Sequence, residues 1–415
     1  MVAATDRAAT RERLRRLIRE IEERPAAPRS VASRTGAPPS AVRLRFEAEW
    51  WEADGALVRE RVYPGSYVHG EHVLEALGAV DGRLCALLGG DDELVRAHVA
   101  DLVFLDIEAT GLGGAGAMVF LVAMGQWDGA AFRLRQYLAP SPPAEGGLLR
   151  RLVADCHAGS REPVLVTYNG ATYDAPMLDA RGTMHRLRMG FEGMAHLDLL
   201  KTVRRGMRDA LRPHRLSHIE AVLLGVQRPE GEVSGADVPG WYFRFLRTGD
   251  TRMLAPIVEH NAVDVLSLAG LLARLGAVHG RIEEGSDLER LLLGRLHAHQ
   301  GREDEARQHL EAAHVQARSA TLRHTLAMEL ARLLRRAGRR SEAAVLWREV
   351  AAGDVAASAA LVELAKHHEH QERDLDAALM AVERALALRG RDPPLLHRRA
   401  RLLRKAAVRP GAPVP

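Results

Sequence analysis

Two acidic residues at the end of an apolar run have the types and spacing for metal-ion chemistry. Asp106 and Glu108 lie in the segment LVFLDIEATGL, residues 102–112, whose apolar start predicts a β-strand. Side chains two positions apart on a strand point to the same face of the sheet. Two such carboxylates need a proton or a cation, and a divalent cation such as Mg2+ prefers carboxylate oxygens. The alternative is that one acid points to solvent beyond the strand end.

Two further acids lie where the predicted elements place them near this pair. Asp174 follows the predicted strand VLVTYN, and Asp264 belongs to the segment HNAVD, in which His260 stands four positions earlier on the same helix face. Four carboxylates and a histidine suit a site in which two ions about 4 Å apart hold the attacking and leaving oxygens of a phosphodiester. The histidine takes the proton from the attacking water. The constellation predicts phosphodiester hydrolysis.

The elements that position these residues predict an α/β fold. Asp54-Gly55, between two alternating segments, predicts a β-hairpin, and Asp128-Gly129 links the second and third strands of an antiparallel meander that begins with the Asp106 strand. Strand–helix units follow, and the segment 201–275 is mostly helical. This order predicts a mixed sheet flanked by helices.

Beyond about residue 285 the sequence becomes helical and repetitive. The segment Gly301–Ala306 recurs as Gly338–Ala343, 37 residues later, and a weaker echo, Leu375-Asp376-Ala377, follows after another 34 residues. Helix pairs with small residues at their approach are typical of tetratricopeptide repeats, and an unrelated helical bundle is the alternative. The predicted division is an N-terminal helix and flexible linker (1–45), an α/β domain (46–280), helical repeats (285–405) and a disordered tail (406–415).

Composition restricts the class of protein more than its partners. The 415 residues carry a formal charge of +4, which permits a nucleic-acid partner without requiring one. The two cysteines, Cys85 and Cys156, form no disulfide framework, and the charged N-terminus lacks the apolar core of a signal peptide. No uninterrupted apolar run approaches the length of a membrane span, and Met118–Met124 is an example. We expect a cytoplasmic protein without a membrane partner.

Taken together, these motifs resemble a known family. Asp-x-Glu followed by Thr-Gly, the segment YNGATYD and the segment HNAVD are similar to the DEDD superfamily of exonucleases, which has the ribonuclease H-like fold. More narrowly, the chain resembles the YprB/MrfB-like group, predicted metal-dependent exonucleases that join such a domain to C-terminal tetratricopeptide repeats. Shorter matches include Tyr67–Gly70, Asp198-Leu199-Leu200 and Pro239-Gly240. The resemblance covers about residues 60–400.

The resemblance implies a role for each acidic motif. The metal ligands fall on Asp106, Glu108, Asp174 and Asp264, which would hold two Mg2+ or Mn2+ ions, and the general base falls on His260. In the wider superfamily a histidine base stands five positions before the last aspartate, whereas here it stands four before it. The implied substrate is DNA, cut from 3′ to 5′ in DNA repair, with a helicase docked on the repeats. An RNA-processing exonuclease and a non-catalytic nucleic-acid scaffold are the alternatives.

Several residues near the acids admit a binding role and a structural one. Thr110 and Gly111 offer backbone donors to a terminal nucleotide or form a simple turn. Asn169 and Tyr173 contact sugar or base, and core packing is the alternative for Tyr173. His69 touches substrate or is simply packed. A basic cluster either follows a phosphate backbone or forms a solvated helix face; it comprises Arg204, Arg205, Arg208, Arg212 and Arg215.

Overall fold

The computed structural model describes residues 49–111, 116–158, 162–207, 210–228, 235–353 and 357–407. The predicted N-terminal helix and linker lie outside the described residues, as do Leu112, Arg208 and the tail from residue 408. All further structural statements concern the described part of the chain.

The strands form a seven-stranded mixed sheet and a separate two-stranded hairpin. The order in the large sheet is β1-β2-β7-β6-β5-β8-β9, and β3 pairs with β4. The strand β5, which carries Asp106, is antiparallel to β6 and parallel to β8. The strands are β1 (Trp50–Ala53), β2 (Ala56–Pro64), β3 (Val68–His69), β4 (His72–Val73), β5 (Leu102–Ala109), β6 (Val119–Trp127), β7 (Ala131–Leu138), β8 (Val164–Thr167) and β9 (Ala195–Asp198).

Both predicted Asp-Gly links are turns between antiparallel strands. Asp54 and Gly55 have φ values of 55° and 81°, and this left-handed pair joins β1 to β2 as a tight hairpin. Asp128 caps the link from β6 to β7 by accepting hydrogen bonds from the backbone of Ala130 and Ala131. The predicted meander β5-β6-β7 is therefore confirmed. The sequence did not predict that β2 pairs along β7, which adds the N-terminal hairpin to the same sheet.

Helices flank the sheet and then continue as an array. The helices are α1 (Gly82–Gly89), α2 (Glu145–Ala158), α3 (Asp174–Met184), α4 (Leu199–Met207), α5 (Leu216–Leu223), α6 (Val238–Thr248), α7 (Ala255–Gly280), α8 (Asp287–His299), α9 (Glu303–Gln316), α10 (Ala320–Arg336), α11 (Arg340–Ala352), α12 (Ala357–His367), α13 (Leu375–Arg389) and α14 (Pro393–Ala407). The expected α/β architecture with a helical C-terminal region is confirmed.

The long helix α7 is the core helix of the sheet domain. It packs across β5, β6, β7 and β8, and buries Val265, Leu268 and Leu272. By length and composition alone, the segment Thr251–Gly280 could also cross a membrane, but 72% of its apolar window is buried against the rest of the protein. Its apolar composition is therefore explained by packing against the sheet.

The helices from α8 onward form successive helix–turn–helix units. From α9 onward each helix packs mainly against its neighbours in the chain, whereas α8 packs against α9 and against α4 of the sheet domain. The turns before α9, α11 and α13 each contain a residue with left-handed backbone, Gly301, Gly338 and Arg373, and a fully buried alanine follows five positions later. In the third unit this alanine is Ala378, which lies 35 residues after its counterpart Ala343 in the second unit. The sequence-based alignment had matched Ala377 to Ala343 and is therefore wrong by one residue.

Candidate active site

The strand β5 delivers two of the predicted acids to one face of the sheet. Asp106 lies opposite Ala123 of β6 and Glu108 lies opposite Leu121, while Ile107 between them is buried on the other side. The register between β5 and β6 shifts between Glu108 and Ala109. Such an irregularity ends regular pairing and re-aims side chains. The pair therefore stands where β5 leaves the sheet.

Asp174 reaches the same place from the next parallel strand. It opens α3, after the loop that follows β8, and its Oδ1 accepts a hydrogen bond from the backbone N–H of Ile107 at 3.2 Å. The loop is fixed by Asp198 at the end of β9, whose Oδ1 accepts from the backbone N–H groups of Asn169 and Leu200. The carboxyl ends of β5, β8 and β9 thus share one edge, as expected for parallel strands.

The fourth acid comes from α7. Asp264 and His260 lie one turn apart on that helix, with Nε2 of His260 3.6 Å from Oδ2 of Asp264. Their side chains are 16% and 21% exposed, so both remain open to solvent on one side. The helix brings them over β5, because α7 packs across that strand.

The electrostatics show that the four carboxylates face one another. Withdrawal from water raises the pKa of each of the four above its ordinary value. Asp106 also feels the charges of Asp264, Asp174 and Glu108, which push its pKa well above the usual range. The pKa of Glu108 rises to about 7, although His260 opposes the shift, and that of Asp174 also rises to about 7.

Asn261, whose importance the sequence did not reveal, holds Asp106 in place. Its Nδ2 donates to Oδ2 of Asp106 at 2.7 Å and to the Asp106 carbonyl oxygen at 3.2 Å. Its Oδ1 accepts from Nε2 of Gln136 at 3.0 Å, and Arg59 donates to the Gln136 amide oxygen. Gln136 and Asn261 are both fully buried. The available sequence signal was the amide of Gln136 on the face of β7 that is otherwise apolar, between Leu134 and Leu138.

A second buried network, also missed, ends on Asp264. Arg228 donates to Oδ1 of Asp264 at 2.5 Å and to both carboxylate oxygens of Glu220. Ser267 donates to the same Glu220 carboxylate and lies 2.9 Å from Nε2 of His69. Glu220 and Ser267 are fully buried. Arg228 lies in a connecting segment, outside any helix or strand, so no helical or strand period relates it to Glu220, eight residues earlier, or to Asp264, 36 residues later.

Arg228 also determines the state of His260 in this structure. Its guanidinium lies 3.1 Å from Nδ1 of His260. A guanidinium only donates, so Nδ1 is the acceptor in this contact, and Nε2 is the ring nitrogen nearest Asp264. In this arrangement Nδ1 is engaged by Arg228 rather than by a water molecule. The assignment of His260 as a base therefore stays a prediction.

The donor set fits hard divalent cations. Four carboxylates with raised pKa values face one guanidinium, which is already paired with Glu220, and such an excess of negative charge favours a cation. Among the described residues, the group in which three ligand atoms lie within 4.8 Å of one another is made of histidines, on α7, α8 and α9, and not of these four acids. Asp264 is paired with Arg228 instead.

The residues predicted to contact a nucleotide have structural contacts. The hydroxyl of Thr110 accepts from the backbone N–H of Met118 at 3.0 Å, and Tyr173 donates to the Gly111 carbonyl oxygen at 3.0 Å. Asn169 is exposed, has a φ of 74° and accepts from the Thr172 hydroxyl. These contacts tie the turn after β5 to the loop before α3. A contact of any of the four with substrate stays a prediction.

The members of the predicted basic cluster have different surroundings in the structure. Arg205 donates to the carbonyl oxygens of Leu88 and Gly89, which ties α4 to the end of α1 and gives that guanidinium a structural task. Arg204 and Arg215 are exposed. His69 is 6% exposed and is packed in the Glu220 network, and its pKa falls to about 4 through burial and the nearby charge of Arg228. Its surroundings agree with the structural alternative, and contact of His69 with substrate stays a prediction.

Comparison with known proteins agrees with this architecture. A model of the RNase_H superfamily matches residues 103–276, which span the sheet from β5 to the end of the acid-bearing part of α7. The "Uncharacterized protein YprB" of Bacillus subtilis (strain 168) is 29% identical over 387 residues, covering 86% of this chain and 90% of its own length. The chain therefore carries a ribonuclease H-like domain, a fold that points to a nuclease-type hydrolase with a nucleic acid substrate and divalent metal ions.

Proposed function

We propose that the protein is a Mg2+- or Mn2+-dependent exonuclease of DEDD type that hydrolyses DNA from the 3′ end. The observation that supports this most directly is that β5, α3 and α7 bring Asp106, Glu108, Asp174 and Asp264 to one edge of the sheet. These four residues are the proposed ligands of two ions. Bound there, the ions would supply Lewis-acid stabilisation of the transferring phosphoryl group and a hydroxide near neutral pH.

The chain's own residues hold this constellation in place. Asn261 orients Asp106 through two hydrogen bonds, and the Ile107 N–H orients Asp174. Outer partners of this kind fix the orientation of ligating groups. Asp264 is the acid that must exchange its present cation, Arg228, for another. His260 becomes able to accept a proton once Arg228 no longer donates to its Nδ1.

The finer parts of the proposal rest on the family resemblance. DNA as substrate, 3′ to 5′ polarity, a place in DNA repair and a helicase docked on tetratricopeptide-like repeats are all taken from the YprB/MrfB-like group. Carboxylate-bound ions do not sense a 2′-hydroxyl, so RNA is the competing substrate. A scaffold that binds nucleic acid without cutting it has no use for four carboxylates beside a polyanion. Co-purification tests the helicase.

Digestion of end-labelled single strands tests the activity. With Mg2+ or Mn2+, the full chain should shorten 5′-labelled DNA progressively and release mononucleotides from 3′-labelled DNA. Asp106→Ala should lower the rate roughly 10³-fold or more, because metal ions contribute several kcal/mol to the transition state. A matched RNA strand, a DNA strand blocked at its 3′ end and a circular strand decide substrate, polarity and exonuclease character.

The controls separate catalysis from binding. Asp92→Ala removes an exposed acid outside the constellation and should cleave as well as the parent. Calorimetric titration with Mn2+ should show binding that Asp174→Ala weakens. A parent protein that binds DNA but neither cleaves it nor binds Mn2+ is the scaffold, and that result rejects the proposal.

A further inference from the structure

Three histidines on three helices meet where the ribonuclease H-like domain joins the helical array. His279 lies near the end of α7, His297 on α8 and His309 on α9. Each offers one ring nitrogen, and the three nitrogens lie within 4.8 Å of one another. The ring of His297 is central, with its centroid 5.4 Å from that of His279 and 5.3 Å from that of His309.

The buried nitrogens of this group lack hydrogen-bond partners. His297 and His309 are each 2% exposed, yet both nitrogens of His297 and Nδ1 of His279 and His309 are unpaired. A buried polar atom without a partner destabilises the folded state by about 1–3 kcal/mol, and such atoms are uncommon in native proteins. Four such nitrogens on three neighbouring rings indicate a ligand that would satisfy them.

The rings are in the protonation state that binds a metal ion. Burial lowers the pKa of His297 to about 4 and that of His309 to about 3, with smaller effects from the neighbouring rings and arginines. The pKa of His279 is also lowered by burial. A neutral imidazole keeps a lone pair on one nitrogen, which is the form that ligates metals.

Imidazole nitrogens select a different ion from the carboxylates of the candidate active site. They suit Zn2+ and similar late first-row ions, whereas carboxylates suit Mg2+ and Mn2+. Bonds of about 2.0–2.1 Å in a tetrahedral site place ligand nitrogens roughly 3.3 Å apart. Rotation about the soft Cβ–Cγ torsions is the movement that brings the three nitrogens to that spacing. His279 is half-buried, so the group is not sealed from solvent on every side.

We propose that His279, His297 and His309 bind one Zn2+-class ion, with water in the fourth position. The ion joins the last helix of the ribonuclease H-like domain to the first helix pair of the array. His279 follows Asp264 by 15 residues on α7, a helical rise of about 22 Å, so the site is separate from the carboxylates. Its role is to fix the junction, because binding to the folded state alone stabilises that state.

Co2+ and Zn2+ titrations of metal-free full chain test the site. The parent here carries Asp106→Ala, so that the carboxylate site is impaired and the result does not depend on nuclease activity. One equivalent of Co2+ should give the visible absorption of tetrahedral, nitrogen-ligated cobalt, and Zn2+ should displace it and raise the midpoint of thermal unfolding. Excess Mg2+ should do neither.

Two variants and one control decide the assignment. His297→Phe keeps a ring between its neighbours without a ligand atom, and His279→Asn changes the half-buried position, where folding is least at risk. Each should weaken Zn2+ binding by more than the roughly 10–100-fold that loss of an outer partner causes. His314→Gln alters a histidine that pairs with Glu349 on the same helix array and should leave binding unchanged. No tetrahedral cobalt spectrum, or full Zn2+ affinity in both variants, overturns the proposal.

Discussion

Arg228 serves two acids at once, and one of them is a proposed metal ligand. Its guanidinium donates to buried Glu220 and to the partly exposed Asp264. The pKa of Asp264 stays raised through burial even though Arg228 and His260 oppose the shift. The buried carboxylate of Glu220 therefore requires Arg228 as its counter-charge, whereas Asp264 can pair either with Arg228 or with a metal ion. The same residue thus connects the stability of the domain to the charge of its site.

Replacement of Arg228 should reveal this dependence. Arg228→Met leaves Glu220 buried with its charge unpaired and should lower the free energy of unfolding by about 3–5 kcal/mol. Adding Glu220→Gln removes the unpaired charge and should recover most of that loss. Urea denaturation of the two single variants and the double variant gives the coupling energy. If the losses of the two single variants simply add in the double variant, the Arg228–Glu220 pair is not the cause of the destabilisation.

Arg252 provides the matched control. Its side chain is 88% exposed and pairs with the nearby Asp250. Arg252→Met should leave the free energy of unfolding close to that of the parent protein.

At the scale of elements, the position of Asp264 depends on how closely α7 approaches the sheet. The contact is made at Gly125 of β6, where a Cβ atom would lie 2.2 Å from the Phe132 ring and 2.9 Å from Cγ1 of Val265. A glycine inside a strand commonly marks such a close approach. Val265 is the residue after Asp264, so the missing side chain of Gly125 lets α7 carry that acid to the site.

Gly125→Ala should therefore affect the site without altering any of its residues. Overpacking should lower the free energy of unfolding by about 1–3 kcal/mol. Overpacking should also push α7, and Asp264 with it, away from the sheet. This displacement should weaken Mn2+ binding, measured by calorimetry on folded protein. Gly78→Ala is the control, since a Cβ there meets nothing within 4 Å. Unchanged Mn2+ affinity in a destabilised Gly125→Ala protein would show that the position of α7 does not determine metal binding at the site.

Sequence patterns predicted the elements and the acidic motifs better than the contacts between them. Period-two alternation and Asp-Gly turns indicated the hairpin and the meander, and the spacing of the acids indicated which residues meet. The partners of those acids could not be predicted in this way. Asn261 bonds to Asp106, and Arg228 bonds to Asp264 and Glu220, each across separate elements, and such contacts leave no local period. Likewise, His279, His297 and His309 come together only through helix packing.

For the whole molecule, the raised carboxyl pKa values predict how stability changes with pH. Glu108 and Asp174 have pKa values of about 7 in the folded state, above their ordinary values near 4. The folded state therefore binds more protons than the unfolded state, and the resulting stability is lost as pH rises through 7. Between pH 6.5 and 8, ion-free protein should lose about 1 kcal/mol per group. Mg2+ or Mn2+ should restore more stability at pH 8 than at pH 6.5.

Thermal unfolding in chelator at the two pH values checks this prediction. Buried histidines such as His69 have lowered pKa values and act in the opposite sense, but their effect lies below about pH 6.5, where unfolded histidine titrates. Asp174→Asn removes one titrating group of the same shape and should flatten the slope. If stability falls with pH equally steeply in Asp174→Asn, groups other than Asp174 cause the pH dependence.

The helix α8 contributes to two hydrophobic cores. Leu292, Leu293 and Leu296 join the core of the sheet domain, whereas Leu291 and Ala298 join that of the helical array. The last strand of the sheet ends at Asp198, so 98 more residues must be synthesised before Leu296 exists. At translation rates of about 5–20 residues per second, that interval lasts roughly 5–20 s. During this time the ribosome carries a complete sheet whose apolar helical face is still partly uncovered, which is when a chaperone would be most useful to this chain.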